Sequence, residues 1–201
     1  MNVGEDYFQS KMDSWPKQEG VALDIGANHG YYTKCLTEKF TQVFAFEPHP
    51  DNLVELNKLK APNLEIVPCA VSDKPGKVKL YKNSLNVGGH TIFDKVAEEE
   101  IWGHNIADYM EVDAVTLDDF CKGRPIKAIK MDIEGAEDFV WNGAVETLRN
   151  NKIDILLETH SSVDCGKLLI FFNRLGYKVY ENDVPVTEMR IDTHYLVTNK
   201  D

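Results

Sequence analysis

Short apolar runs alternate with stretches of helical periodicity along this chain, a pattern that predicts an α/β sheet covered on both faces. Val21 to Ile25 reads as the first strand, closed by a glycine-rich turn, with a helix running to about Lys39. Gln42 to Phe46 follows as a second strand. Pro48 to Asp51 start the next helix, whose Leu53, Leu56 and Leu59 fall on one face. Leu64 to Val67 is the third strand, Ile126 to Asp132 the fourth and Ile153 to Glu158 the fifth. Leu168 to Leu175 is helical and stopped by Gly176, and Tyr177–Tyr180 and Tyr195–Thr198 complete a doubly wound set of about seven strands.

The alternation breaks down between residues 76 and 115. Lys77 to Tyr81 reads as a hairpin strand and Asn86 to His90 as a loop, so this excursion is the expected substrate side of a rigid scaffold. Glu98, Glu99 and Glu100 read as a solvated helix face. Residues 1–201 are expected to form one domain, with 1–19 as an N-terminal extension. The 201 residues, 43% of them apolar, suffice for one good core and exclude disorder over most of the chain.

No apolar stretch is long enough to cross a bilayer and no leader is visible at the N-terminus. The net charge of −11 repels a phosphate backbone, and no dense Lys/Arg cluster offsets it, which argues against a nucleic-acid partner. The four cysteines, Cys35, Cys69, Cys121 and Cys165, contain no C-x-x-C pair. They read as reduced thiols of a cytoplasmic protein.

Leu23-Asp24-Ile25-Gly26-Ala27-Asn28-His29-Gly30 follows a strand and opens a helix, the setting of a nucleotide-binding turn. A dinucleotide fingerprint needs Gly at 28 and 31, where Asn28 and Tyr31 stand. A P-loop would need Gly-Lys-Ser/Thr, which is missing. What remains is an acid, Gly-x-Asn-x-Gly, and Glu47 at the tip of the second strand, where a carboxylate can hold both ribose hydroxyls. Gly26 and Gly30 would let the backbone approach a flat ligand, and Asp24 would face a positive centre across the crevice. These features describe S-adenosylmethionine, a cationic nucleoside without phosphates. The alternative is a structural turn in which Asp24 caps the helix and Glu47 is solvated.

These motifs resemble the FkbM-type S-adenosylmethionine-dependent methyltransferases over about residues 20 to 198. The resemblance rests on the segment Leu23 to Tyr32, Phe46-Glu47-Pro48, Ala70-Val71-Ser72-Asp73 and Thr116-Leu117-Asp118-Asp119-Phe120. It also rests on Ile129-Lys130-Met131-Asp132-Ile133-Glu134-Gly135-Ala136-Glu137, Leu157-Glu158 and Gly176-Tyr177. It implies a class I methyltransferase fold, a Rossmann-like, doubly wound seven-stranded sheet of order 3-2-1-4-5-7-6 with the last strand antiparallel. It further implies O-methylation, typically of sugar or polyketide-type hydroxyls. The short piece before the first strand leaves any N-terminal lid of relatives missing or reduced.

Expected cofactor contacts are Asp24, Gly26, Ala27, Asn28, Gly30 and Tyr31 on the first turn, with Glu47 and Pro48 at the second strand tip. Ala70, Val71 and Ser72 after the third strand, and Asp132 at the fourth, complete them. For chemistry, Asp132, Glu158 and His160 can converge on the cleft floor as candidates for the base, with Lys130 as an electrostatic helper. The same three could instead hold a divalent cation. A Lys in a central strand needs a carboxylate or substrate partner, or it orders the sheet tip alone. Glu137 is expected to serve its own helix turn, while Glu134 faces the cleft. His90 and His104 are candidate substrate contacts, and His29 and His49 turn residues. Trp102 and Tyr109, flanking His104 and Asn105, either stack on a sugar ring or pack the excursion onto the sheet.

The sequence therefore predicts an O-methyltransferase acting on a hydroxyl of a sugar, glycan or sugar-containing small molecule. Its rivals are a nucleic-acid ribose 2'-O-methyltransferase and a catalytically silent S-adenosylmethionine-binding module.

Overall fold

The computed structural model describes residues 3–83, 90–92, 106–160 and 162–200. His104, Trp102, Asn105, Glu98 to Glu100 and the loop ahead of His90 lie outside them.

Helix α1 (Val3–Ser14) leads into β1 (Gln18–Ile25), α2 (Tyr31–Thr37), β2 (Phe40–Phe46), α3 (Pro50–Leu56) and β3 (Leu64–Val67). Then come β4 (Ala70–Val71), β5 (Gly76–Asn83), β6 (Ile106–Val115), β7 (Ile126–Met131) and β8 (Asp154–Thr159). The last strands are β9 (Lys178–Glu181), β10 (Val184–Pro185) and β11 (Thr193–Thr198). The main sheet runs β3-β2-β1-β7-β8-β11-β9-β10. β1, β2, β3, β7 and β8 pair in parallel, and β11 is antiparallel to both β8 and β9. This is the class I methyltransferase order with one addition.

Among the described residues the sheet has eight strands rather than seven. Asn182 and Asp183 both take positive φ, 48° and 65°, the conformation of a two-residue hairpin turn whose twist matches its strands. That turn lets Val184 and Pro185 pair back onto Glu181 and Tyr180.

Alternate residues of the central strands face opposite layers. Leu23, Ile25, Phe44, Phe46, Ile129 and Met131 join the larger core with Trp141, Leu148 and Phe172. Ala22, Val43, Ala128 and Leu156 face the other layer, where Phe8 and Met12 of α1 and Leu36 of α2 cover them. Helix α1, within the N-terminal extension, thus packs onto the sheet. Phe8 and Met12, one turn apart, are fully buried and close one face of the sheet.

The excursion forms a second sheet, β4-β6-β5, in which β5 and β6 pair as antiparallel partners. It places Leu80, Val112 and Ala114 against Ala70, beside the carboxyl ends of the main strands. All four cysteines are free, three of them buried. No helix among the described residues is long and apolar enough to cross a membrane.

Candidate active site

A cavity of about 290 Å³ opens beyond the carboxyl ends of β1, β2 and β7, the crevice where open α/β sheets bind ligands. Gly26, Ala27, Asn28 and Tyr31 form its β1 side, and Glu47 and Pro48 its β2 side. Ala70 and Val71 with Leu80 and Ile92 close it from the second sheet, and Lys130, Asp132, Ile133 and Glu134 form its β7 end.

Glu47 is the best-built contact on the wall. Its Oε2 accepts the Asn28 backbone N–H at 2.9 Å and its Oε1 that of His49 at 2.7 Å. With the Asn52 side chain also beside it, the carboxylate keeps acceptor capacity for a hydroxyl. Burial pushes its pKa up despite those N–H groups. Asn52 also lines the cavity, and neither its Oδ1 nor that of Asn28 has a hydrogen-bond partner among the described residues. A ligand bearing donors would satisfy both. Asn52 was not foreseen from the sequence, because it lies inside α3 with nothing local to mark it.

Three expected cofactor residues do not reach the cavity wall. Asp24 points into the layer beneath α2, where it is fully buried, accepts from Thr33 Oγ1 at 2.6 Å and sits 3.4 Å from Lys130 Nζ. Gly30 takes φ 86°, a conformation that favours glycine, and a Cβ there would lie 2.4 Å and 2.7 Å from Leu59 and Leu56 side-chain carbons. Ser72 is buried, its N–H bonded to Val115 O at 2.9 Å. Gly26, by contrast, sits where β1 and β7 converge. A Cβ would stand 1.9 Å from Asp132 O, at a φ of 77° that disfavours side chains.

Lys130 ties these strand tips together. Its Nζ donates to Gly26 O at 2.9 Å, lies 3.8 Å from Asp132 Oδ2 and sits 5.3 Å from the Tyr32 ring centroid. Burial works against its charge, but Asp24 and Asp132 hold its pKa above the ordinary value. His90 lines the cavity and stacks on His49 at 4.0 Å. His49 also caps α3, accepting from Asp51 N–H, while His29 is exposed at the cavity mouth. Tyr109 is half exposed and packs at 5.9 Å against Tyr81.

Beside the β7 end, Asp132, Glu158 and His160 come together, with ligand-type atoms all within 4.8 Å of one another. Only Asp132 of the three lines the cavity, joined there by Glu134. Glu134 has φ 57°, a conformation that costs a non-glycine residue about 1–3 kcal/mol. The loop holding it is pinned: Glu137 Oε1 accepts the N–H groups of Ile133 and Gly135, and Ser162 Oγ donates to Gly135 O at 2.8 Å. Burial raises the Glu134 pKa to about 7; His160 opposes the rise, and Asp132 and Glu158 add to it.

Two residues of this cluster were missed. Glu137 does serve its own turn, but it also meets His160 Nδ1 at 2.7 Å. His194, opposite Glu158 across the β11–β8 ladder, brings its Nε2 to 3.1 Å from Glu158 Oε2. No sequence spacing joins either pair. Burial disfavours charge on His160, yet Glu137, Asp132 and Glu134 raise its pKa to about 10.

Residues 24–179 match the methyltransferase FkbM domain. The chain belongs to the FkbM methyltransferase family. Two curated relatives share 25% identity with this FkbM domain. The hexuronic acid methyltransferase AglP of Haloferax volcanii aligns over 74% of the chain and 59% of its own length. The 2-O-methyltransferase NoeI of Sinorhizobium fredii aligns over 68% and 62%. The chain thus spans about three-fifths of the curated relatives it matches.

Among solved structures, a methyltransferase FkbM from Methylobacillus flagellatus superposes with a TM-score of 0.58 at 20% identity, covering 90% of this chain and 44% of that one. A methyltransferase from Streptococcus mutans in complex with SAH gives 0.50 at 11% identity, covering 98% and 97%. Both show the same fold.

Proposed function

We propose that this FkbM domain transfers a methyl group from S-adenosylmethionine to a sugar hydroxyl. The observation that carries the reading is the cavity itself. It has a ribose-type acceptor, Glu47, at one strand tip and a carboxylate pair, Asp132 and Glu134, at the other end. The family match supports the cofactor, and the two relatives, named for a hexuronic acid and a 2-O position, support a sugar acceptor.

In this reading the acceptor oxygen attacks the methyl carbon in line with sulfur. The C–S bond breaks, its electron pair stays on sulfur as S-adenosylhomocysteine, and the acceptor proton passes to Asp132 or Glu134. Of the expected base candidates, Asp132 is favoured here because it lines the cavity, which Glu158 and His160 do not. The test is transfer of labelled methyl groups onto uronic acids, neutral sugars and RNA. Label on a sugar hydroxyl is expected. Label on RNA alone, or on none of them, would refute the acceptor class.

Replacing Glu47 with Ala is expected to weaken S-adenosylmethionine binding by about 1–3 kcal/mol, roughly five- to 150-fold in Kd by calorimetry. The cause is loss of the acceptor for the ribose hydroxyls. An unchanged Kd would refute that contact.

A further inference from the structure

We propose that Asp132, Glu158 and His160 form a divalent-cation site beside the cofactor cavity, suited to Mn²⁺ or Mg²⁺. His160 is held by one ring nitrogen: Nδ1 meets Glu137 Oε1 at 2.7 Å. Its Nε2 is thereby aimed at three carboxylates, Asp132 Oδ1 at 3.6 Å, Glu134 Oε2 at 3.6 Å and Glu158 Oε1 at 3.8 Å. These distances are too long for hydrogen bonds. They fall between the spacings of ligands sharing one octahedral ion with bonds of about 2.1 Å, roughly 3.0 Å for neighbours and 4.2 Å for opposite ligands.

Two further observations point the same way. The carboxylate behind the imidazole is the arrangement that fixes a metal-bound histidine. That carboxylate belongs to Glu137, which is fully buried and directed at the cluster through Oε1, and its Oε2 has no hydrogen-bond partner among the described residues. Among the described residues, acids also outnumber bases around the site: Asp132, Glu134, Glu137 and Glu158 surround His160. Of these acids His194 meets Glu158 alone, and Lys130, 3.8 Å from Asp132, is already engaged by Asp24 and Gly26.

The chemistry of the set selects the ion. Hard carboxylates with a single imidazole favour Mn²⁺ or Mg²⁺ over metals held by thiolates, and no cysteine is in the set. Glu134, at the cavity wall, is placed as a further ligand or as the group linking the site to the acceptor. The inference deepens the acceptor side of the proposed methyl transfer, because a cation there would polarise a hydroxyl oxygen.

Its test needs neither cofactor nor acceptor, so its failure is separate from failure of the methyltransferase reading. The metal-stripped full chain is titrated with Mn²⁺, followed by calorimetry and by loss of the free-ion electron paramagnetic resonance signal. One saturable site is expected, competed by Mg²⁺ and weakened about tenfold or more by Glu158→Gln and by His160→Ala. Glu158 is partly exposed, so its variant retains the fold, checked by circular dichroism. No saturable uptake by the wild-type chain, or equal uptake by both folded variants, overturns the proposal.

Discussion

Replacing Lys130 with Met is expected to destabilise the fold by about 3–5 kcal/mol, because it leaves the buried Asp24 carboxylate without its cationic partner. The lysine is almost completely buried, and Thr33 is the other partner holding Asp24. The substitution also removes the donor to Gly26 O, which joins the tips of β1 and β7. Neutralising the acid as well, in a Lys130→Met, Asp24→Leu pair, is expected to restore a large part of the loss, since no buried charge then lacks its partner. Urea unfolding of the two variants and of wild type measures this. A loss below about 1 kcal/mol in the single variant would mean that Asp24 does not depend on Lys130.

The largest effect on turnover is expected from Asp132→Asn. Asp132 stands at the cavity wall within reach of Lys130 Nζ and His160 Nε2, and its side chain is partly exposed. Removing its charge takes away a proton acceptor and a ligand of the proposed cation while leaving the core intact. Single-turnover methyl transfer is expected to slow by about 10²–10⁴-fold. The unfolding midpoint is expected to change little. A wild-type rate would exclude Asp132 from the chemistry and leave Glu134 as the remaining carboxylate on that wall.

The central strands were readable because both of their faces are covered, so they appear as continuous apolar runs. Glu47 and Asp132 were readable for a related reason: each follows directly on such a run, and strand tips line the crevice of this kind of sheet. The misses share another cause. α1 carries only a short apolar face, Phe8 and Met12, among polar residues, too brief to stand out from a tail. β6 alternates Met110, Val112 and Ala114 with acidic residues, and its partner β5 is distant in sequence.

Asp24 shows the limit most clearly. Strand alternation assigns its face, but only tertiary packing brings Thr33 and Lys130 to its carboxylate. Glu137 with His160, and His194 with Glu158, are joined by tertiary contacts alone. Gly30 carried a correct signal for a special conformation, and the Leu56 and Leu59 side chains beside it could not be read from its local sequence.

The most direct test of the account is a crystal structure of the chain with S-adenosylhomocysteine. The ribose hydroxyls should bond Glu47, the unpartnered oxygens of Asn28 and Asn52 should gain donors, and sulfur should face Asp132 and Glu134. A ribose placed away from Glu47, or a ligand bound outside this cavity, would contradict it.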